Sequence, residues 1–110
     1  MKILQTDKAK LADTESVDSF PSRVSFRDLG LDARVLRGID ALGFELCSPI
    51  QAQILPHTLP GSDAIGKAQT GTGKTAAFLI TIFNDLLRHP IDTERFLGEP
   101  RAVIIAPTRE

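Results

Sequence analysis

The first stretch of the chain, Met1 to Val24, mixes Lys8, Lys10, Asp7, Asp13, Glu15 and Asp18 with hydroxyl side chains and few large apolar groups. It keeps neither a period of 2 nor one of 3.6, so residues 1–24 are expected to form a disordered N-terminal tail. The pattern then changes. Leu31, Val35, Leu36, Ile39 and Leu42 fall on one helical face, Asp32 suits the cap before it, and Gly43 suits the left-handed residue after its last turn. A second, shorter helix is predicted from Ser48-Pro49-Ile50-Gln51, where Ser at the cap, Pro at the first helical position and Gln at the third make a capping box. Pro56, followed by Pro60-Gly61, is expected to close it. Asp63 to Ala68 is weakly apolar and predicts a short strand. Gly73 to Arg88 carries Ala76, Phe78, Leu79, Ile82, Phe83, Leu86 and Leu87 and predicts the strongest helix of the chain, stopping before His89-Pro90. Apolar groups cover most of this helix, so Phe78 and Phe83 are expected in a core rather than at a ligand.

After a polar connector, Ala102-Val103-Ile104-Ile105-Ala106 is an unbroken apolar run, the pattern of a parallel strand covered on both faces, and Pro107 ends its ladder. Strand, helix, strand predicts one right-handed βαβ unit preceded by two helices, an α/β class with a parallel sheet. In that arrangement the residues after each strand, Ala68 to Gly73 and Pro107 to Arg109, open on one rim.

The segment between the first predicted strand and the long helix carries the chemistry. Ala68-Gln69-Thr70-Gly71-Thr72-Gly73-Lys74-Thr75 is a glycine-rich turn that ends in Lys-Thr and opens a helix. Gly71 and Gly73 let the backbone curl with its N–H groups inward, and the helix adds its positive end to the same anion. Lys74 is then expected to reach the β and γ phosphates of a nucleotide, and the Thr75 hydroxyl to ligate Mg2+. The usual phosphate-loop pattern asks for Gly where Ala68 stands. A rival pattern, the dinucleotide fingerprint G-x-G-x-x-G/A, fits Gly71 to Ala76 and would imply an oxidoreductase. It needs an acidic residue about 20 positions on at a strand end, and Asp92 and Glu94 fall in the polar connector; Lys-Thr has no role in it. A Gly/Thr-rich connector with no function is the remaining reading.

Composition narrows the picture. The chain has 110 residues, 42% hydrophobic and 25% charged, which allows one domain at most. Met1 to Leu4 is followed at once by polar residues, and no apolar run approaches membrane-span length, so a cytoplasmic protein with no membrane partner is expected. The single Cys47 makes neither an internal disulfide nor a cysteine zinc cage and reads as a small buried hydrophobe. Net charge is −1 and the isoelectric point near 6.1, without the bulk basic character of proteins that hold nucleic acid by charge alone.

Three segments together resemble one family. Phe26 and, seventeen residues on, Gly43-Phe44-Glu45-Leu46-Cys47-Ser48-Pro49-Ile50-Gln51, then Ala68 to Thr75, then Pro107-Thr108-Arg109-Glu110, are similar in order and spacing to the Q motif, motif I and motif Ia of the DEAD-box RNA helicases. The resemblance covers residues 25–110, with the Q motif at 26–51, motif I at 68–75 and motif Ia at 107–110. Cys47 and Ser48 stand where the commonest Q motif has Pro and Thr. That variant resembles the bacterial RhlB type, which works with the RNA-degradation machinery.

The resemblance implies the N-terminal portion of a RecA-like helicase domain, an ATP-dependent RNA helicase that couples ATP hydrolysis to unwinding, with ATP and Mg2+ as its requirements. It implies that Gln51 reads the adenine edge through its amide, that Phe26 stacks on the base, and that Pro107, Thr108 and Arg109 contact the RNA backbone without reading sequence. From local geometry alone, Gln51 is explained by its capping box, and Phe26 by packing on the first helix. The 110 residues hold no Asp-Glu-Ala-Asp stretch, so hydrolysis by this chain alone is not expected, and a non-catalytic nucleotide- or RNA-binding protein is the alternative. With only two strands predicted, the isolated chain is expected to be marginally folded or to aggregate.

Overall fold

A computed structural model describes residues 23–69, 71–91 and 98–107. Its elements are a 3-10 turn at Phe26–Leu29 and three helices, α1 Ala33–Ala41, α2 Pro49–Thr58 and α3 Lys74–Arg88.

Each helix begins where its capping chemistry dictates. Asp32 caps α1, its side chain accepting from the Arg34 N–H at 2.9 Å. Gly43 follows the helix with φ 79°, and its N–H donates to the Asp40 carbonyl at 2.9 Å. At the start of α2 both arms of the predicted box are present: the Ser48 N–H donates to Gln51 Oε1 at 2.8 Å, and the Gln51 N–H donates to Ser48 Oγ at 3.4 Å. Pro56 does not close α2, which runs two residues further. Its ring is exposed in the last turn, so only its own missing N–H is lost, and the Leu59 N–H still reaches the Leu55 carbonyl at 3.0 Å.

The core joins Phe26, Leu31, Val35 and Ile39 to Cys47, Leu55 and Ile80. Leu55 is wholly buried, a burial that stabilises by about 2 kcal/mol for such a side chain. Val24 packs against this core and its carbonyl accepts from the Cys47 N–H at 2.8 Å, so Val24 belongs to the fold, whereas residues 1–22 of the expected tail lie outside the described residues. Leu42, on the predicted apolar face of α1, is 72% exposed. It is the C-cap of the helix, where the backbone turns toward Gly43.

Two hydrogen bonds fix how α2 and α3 pack. Gln51 Nε2 donates to the Gly73 carbonyl at 3.1 Å, and the Thr58 and Thr81 hydroxyls meet at 2.9 Å, sequence separations of 22 and 23. With nearly the same offset at both points, the helices run parallel, side by side, and their N-terminal ends come together. Asn84, buried on α3, accepts from the Asp32 N–H at 2.8 Å and ties the start of α1 to the same helix.

The predicted strands are not formed among the described residues, whose one β-pairing is an isolated antiparallel bridge between Ser25 and Leu46. Asp63 to Ala68 and Ala102 to Ala106 run without regular structure. The physical reason is that a strand, unlike a helix, completes its hydrogen bonds only on a neighbour. Val103, Ile104 and Ile105 remain 70%, 55% and 85% exposed, and Phe83 on α3, expected in a core, is 52% exposed.

Candidate nucleotide-binding site

The turn before α3 has the backbone that the glycines predict. Gly71 and Gly73 hold φ of 85° and 92°, the left-handed region where a side chain is strained. Gly73 is also the N-cap of α3 and supplies no side-chain acceptor, so the helix's first amides face the loop with no capping side chain. Within the loop, the Thr72 hydroxyl donates to the Gln69 carbonyl at 2.7 Å, and the Lys74 ammonium folds back to donate to the Ala68 carbonyl. Lys74 is half-buried and Thr75 exposed; Thr70 lies outside the described residues. A cationic donor, free helix amides and an accessible hydroxyl thus surround one turn, a donor set suited to an anion such as a phosphate chain.

Gln51 sits against this loop. The residue is 7% exposed, and its carboxamide is oriented by two backbone partners, Oε1 accepting from the Ser48 N–H and Nε2 donating to the Gly73 carbonyl. The capping box weighed from sequence is real, and so is a contact to the glycine loop that no local pattern predicts. Gly73 is closely enclosed on that side: a Cβ there would lie 2.3 Å from Gln51 Nε2 and 3.2 Å from Ser48 Oγ.

Other expected site residues fall elsewhere. Phe26 is 2% exposed and belongs to the core, so its ring presents no face to a base in this arrangement; the 3-10 turn that carries it tucks it against α1. The packing role is the one the structure displays. Pro107 is exposed, while Thr108 and Arg109 lie outside the described residues. Cys47 is buried, which with the nearby Asp28 charge pushes its thiol up to about 11.

A cleft of about 320 Å³ runs beside the loop, and Lys74 and Thr75 line it together with Ile54, Phe78 and the Thr58–Thr81 pair. The two threonines were not singled out from sequence. A hydroxyl at position 81, within the otherwise apolar stretch Ala76 to Phe83, was the available signal.

Similarity to known proteins agrees with the motifs. Residues 48–110 match the model of the DEAD/DEAH box helicase family. The chain is 56% identical over 94 residues to the ATP-dependent RNA helicase RhlB of Pseudomonas aeruginosa, an alignment covering 86% of this chain and 24% of that protein. It is 59% identical over 85 residues to RhlB of Photobacterium profundum, covering 77% of this chain and 20% of that protein. The chain therefore spans about a quarter or less of the length of these relatives. Among solved structures it resembles S. cerevisiae Dbp5 determined in complex with Gle1 and IP6, with a TM-score of 0.54 and 42% identity over 59% of this chain and 17% of the solved one. That likeness implies the RecA-like α/β fold of the helicases, to which the three helices described above contribute. The dinucleotide fingerprint at Gly71 to Ala76 is left without a role. By motif order, by sequence identity to the RhlB helicases and by structural likeness, the chain belongs to the DEAD/DEAH box helicase family.

Proposed function

We propose that this chain binds ATP through the Gly71–Thr75 turn and selects adenine through Gln51, as the nucleotide-binding part of an ATP-dependent RNA helicase. The observation that carries the reading is the meeting of Gln51 with Gly73, which brings a base-selecting amide and a phosphate-binding turn to one place. A carboxamide offers two N–H donors and two acceptor positions. Ser48 and Gly73 use one of each, leaving one donor and one acceptor, the pair that adenine's N7 and amino group require. Guanine presents two acceptors on that edge and would leave one unmatched. Among the described residues the Lys74 ammonium is held by the neutral Ala68 carbonyl, a partner that a triphosphate outcompetes by charge. Mg2+, when bound, would offset charge on the β and γ phosphates, and Thr75, exposed at the first turn of α3, is the residue of this chain to hold it. Phe26 acts in this reading by packing beneath α1 and the Q-motif segment rather than by stacking.

RNA is the second expected ligand, held on its backbone by Pro107, Thr108 and Arg109 with little sequence preference. Hydrolysis and unwinding, the RNA-degradation machinery as a partner, and a cytoplasmic location are the further expectations drawn from the RhlB resemblance. No Asp-Glu pair occurs in the 110 residues, so the chain alone is proposed to bind nucleotide without turning it over.

Competition against a fluorescent ATP analogue tests the core of this reading. ATP should displace the analogue and GTP should not. Gln51→Ala should erase that preference, while Lys74→Ala should weaken both nucleotides by tenfold or more, about 1.4 kcal/mol. Equal affinity for ATP and GTP in the unaltered chain, or none for either, rejects it.

A further inference from the structure

We propose that the buried Thr58–Thr81 hydrogen bond is a positioning contact for base selection, which sets the register of α2 on α3 so that Gln51 stays on Gly73. The inference rests on the nucleotide-binding reading above. Thr81 Oγ1 lies 2.9 Å from the Ala77 carbonyl and 2.9 Å from Thr58 Oγ1. A threonine hydroxyl has a single proton, and a carbonyl can only accept, so Thr81 donates to Ala77 and Thr58 donates to Thr81. The proton that crosses between the helices therefore belongs to Thr58.

Both residues are 2% exposed, two turns from the Gln51–Gly73 bond, and the hydrophobic contacts between the helices at that depth do not by themselves fix their relative slide. A directional bond does fix it. Thr58 lies seven residues beyond Gln51, and Thr81 eight beyond Gly73, so the two contacts are separated by about two helical turns, roughly 11 Å. Moving one helix by a single residue shifts it about 1.5 Å and rotates its side chains by about 100°. Such a slip takes the Gln51 amide off the Gly73 carbonyl. The same threonines line the cleft that Lys74 and Thr75 border, so the contact is continuous with the site it orders.

Thr58→Val is the informative variant, because it keeps the shape and leaves the Thr81 bond to Ala77 in place while removing only the interhelical proton. Competition by ATP, GTP and inorganic tripolyphosphate against a fluorescent ATP analogue is measured on the whole chain, with helicity checked by circular dichroism. The expected result is a fall of at least about fivefold in the ATP-to-GTP ratio, unchanged tripolyphosphate affinity, restoration in Thr58→Ser, and no further loss when Thr58→Val is added to Gln51→Ala. A folded Thr58→Val that keeps its ATP-to-GTP ratio overturns the proposal, as does a loss that simply adds to that of Gln51→Ala. If Thr58→Val loses helicity, Thr58→Ala removes the same hydroxyl with better helix propensity, and a ratio retained there overturns it equally. Absence of ATP preference in the unaltered chain rejects instead the nucleotide-binding reading itself.

Discussion

Gly73 is the residue on which the most constraints converge. Its φ of 92° disfavours any side chain, and the space a Cβ would enter is already occupied by the Gln51 amide at 2.3 Å. Gly73→Ala therefore has two costs: adopting a left-handed conformation, about 1–2 kcal/mol, and displacing an amide that holds two hydrogen bonds. The expected outcome is a lower melting temperature together with loss of ATP preference, measured by thermal circular dichroism and by nucleotide competition. Gly71, equally left-handed but with open space around it, should show the conformational cost alone when replaced by Ala. Sequence spacing made the left-handed turn at Gly71 and Gly73, and its place at the start of α3, legible. It did not reveal that Gln51 closes over Gly73, because that contact spans 22 residues and depends on how two helices pack.

At the scale of the element, caps were the most readable features, since a cap is settled by side chains within three or four residues of the backbone they satisfy. Ser48→Ala removes the acceptor for the Gln51 N–H and should cost about 1 kcal/mol in chemical denaturation. Asp32 has a pH signature of its own. Hydrogen bonds from the Arg34 side chain and from its backbone N–H hold the Asp32 carboxyl at about 2, below its ordinary 3.8. A carboxyl depressed in the folded state adds stability that is present above the unfolded value and is lost as pH falls from about 3.8 toward about 2. The melting temperature of Asp32→Asn should accordingly vary less across that interval than that of the unaltered chain, and an identical slope for both would count against the assignment. Pro56 was misread as a stop because its cost is confined to one hydrogen bond in an exposed last turn. The predicted strands are not formed among the described residues for a different reason: an apolar run such as Ala102 to Ala106 specifies a need for neighbours without containing them.

For the molecule as a whole, that unmet need governs behaviour in solution. Val103, Ile104 and Ile105 form a consecutive exposed apolar run with no strand pairing among the described residues, the kind of segment that recruits other chains. The chain should show concentration-dependent association by light scattering, and Ile105→Lys, at the most exposed of the three positions, should reduce it without changing helicity. What the helices achieve among themselves is nonetheless specific, because α2 and α3 present their amino ends at one point and hold them there through Gln51 and Thr58. The crowding of Gly73 against the Gln51 amide has a consequence for how such chains vary. A bulkier residue at 73 becomes tolerable only when 51 carries something shorter, so in a saturating library of double variants the survivors at these two positions should be correlated in size, although they lie in separate motifs.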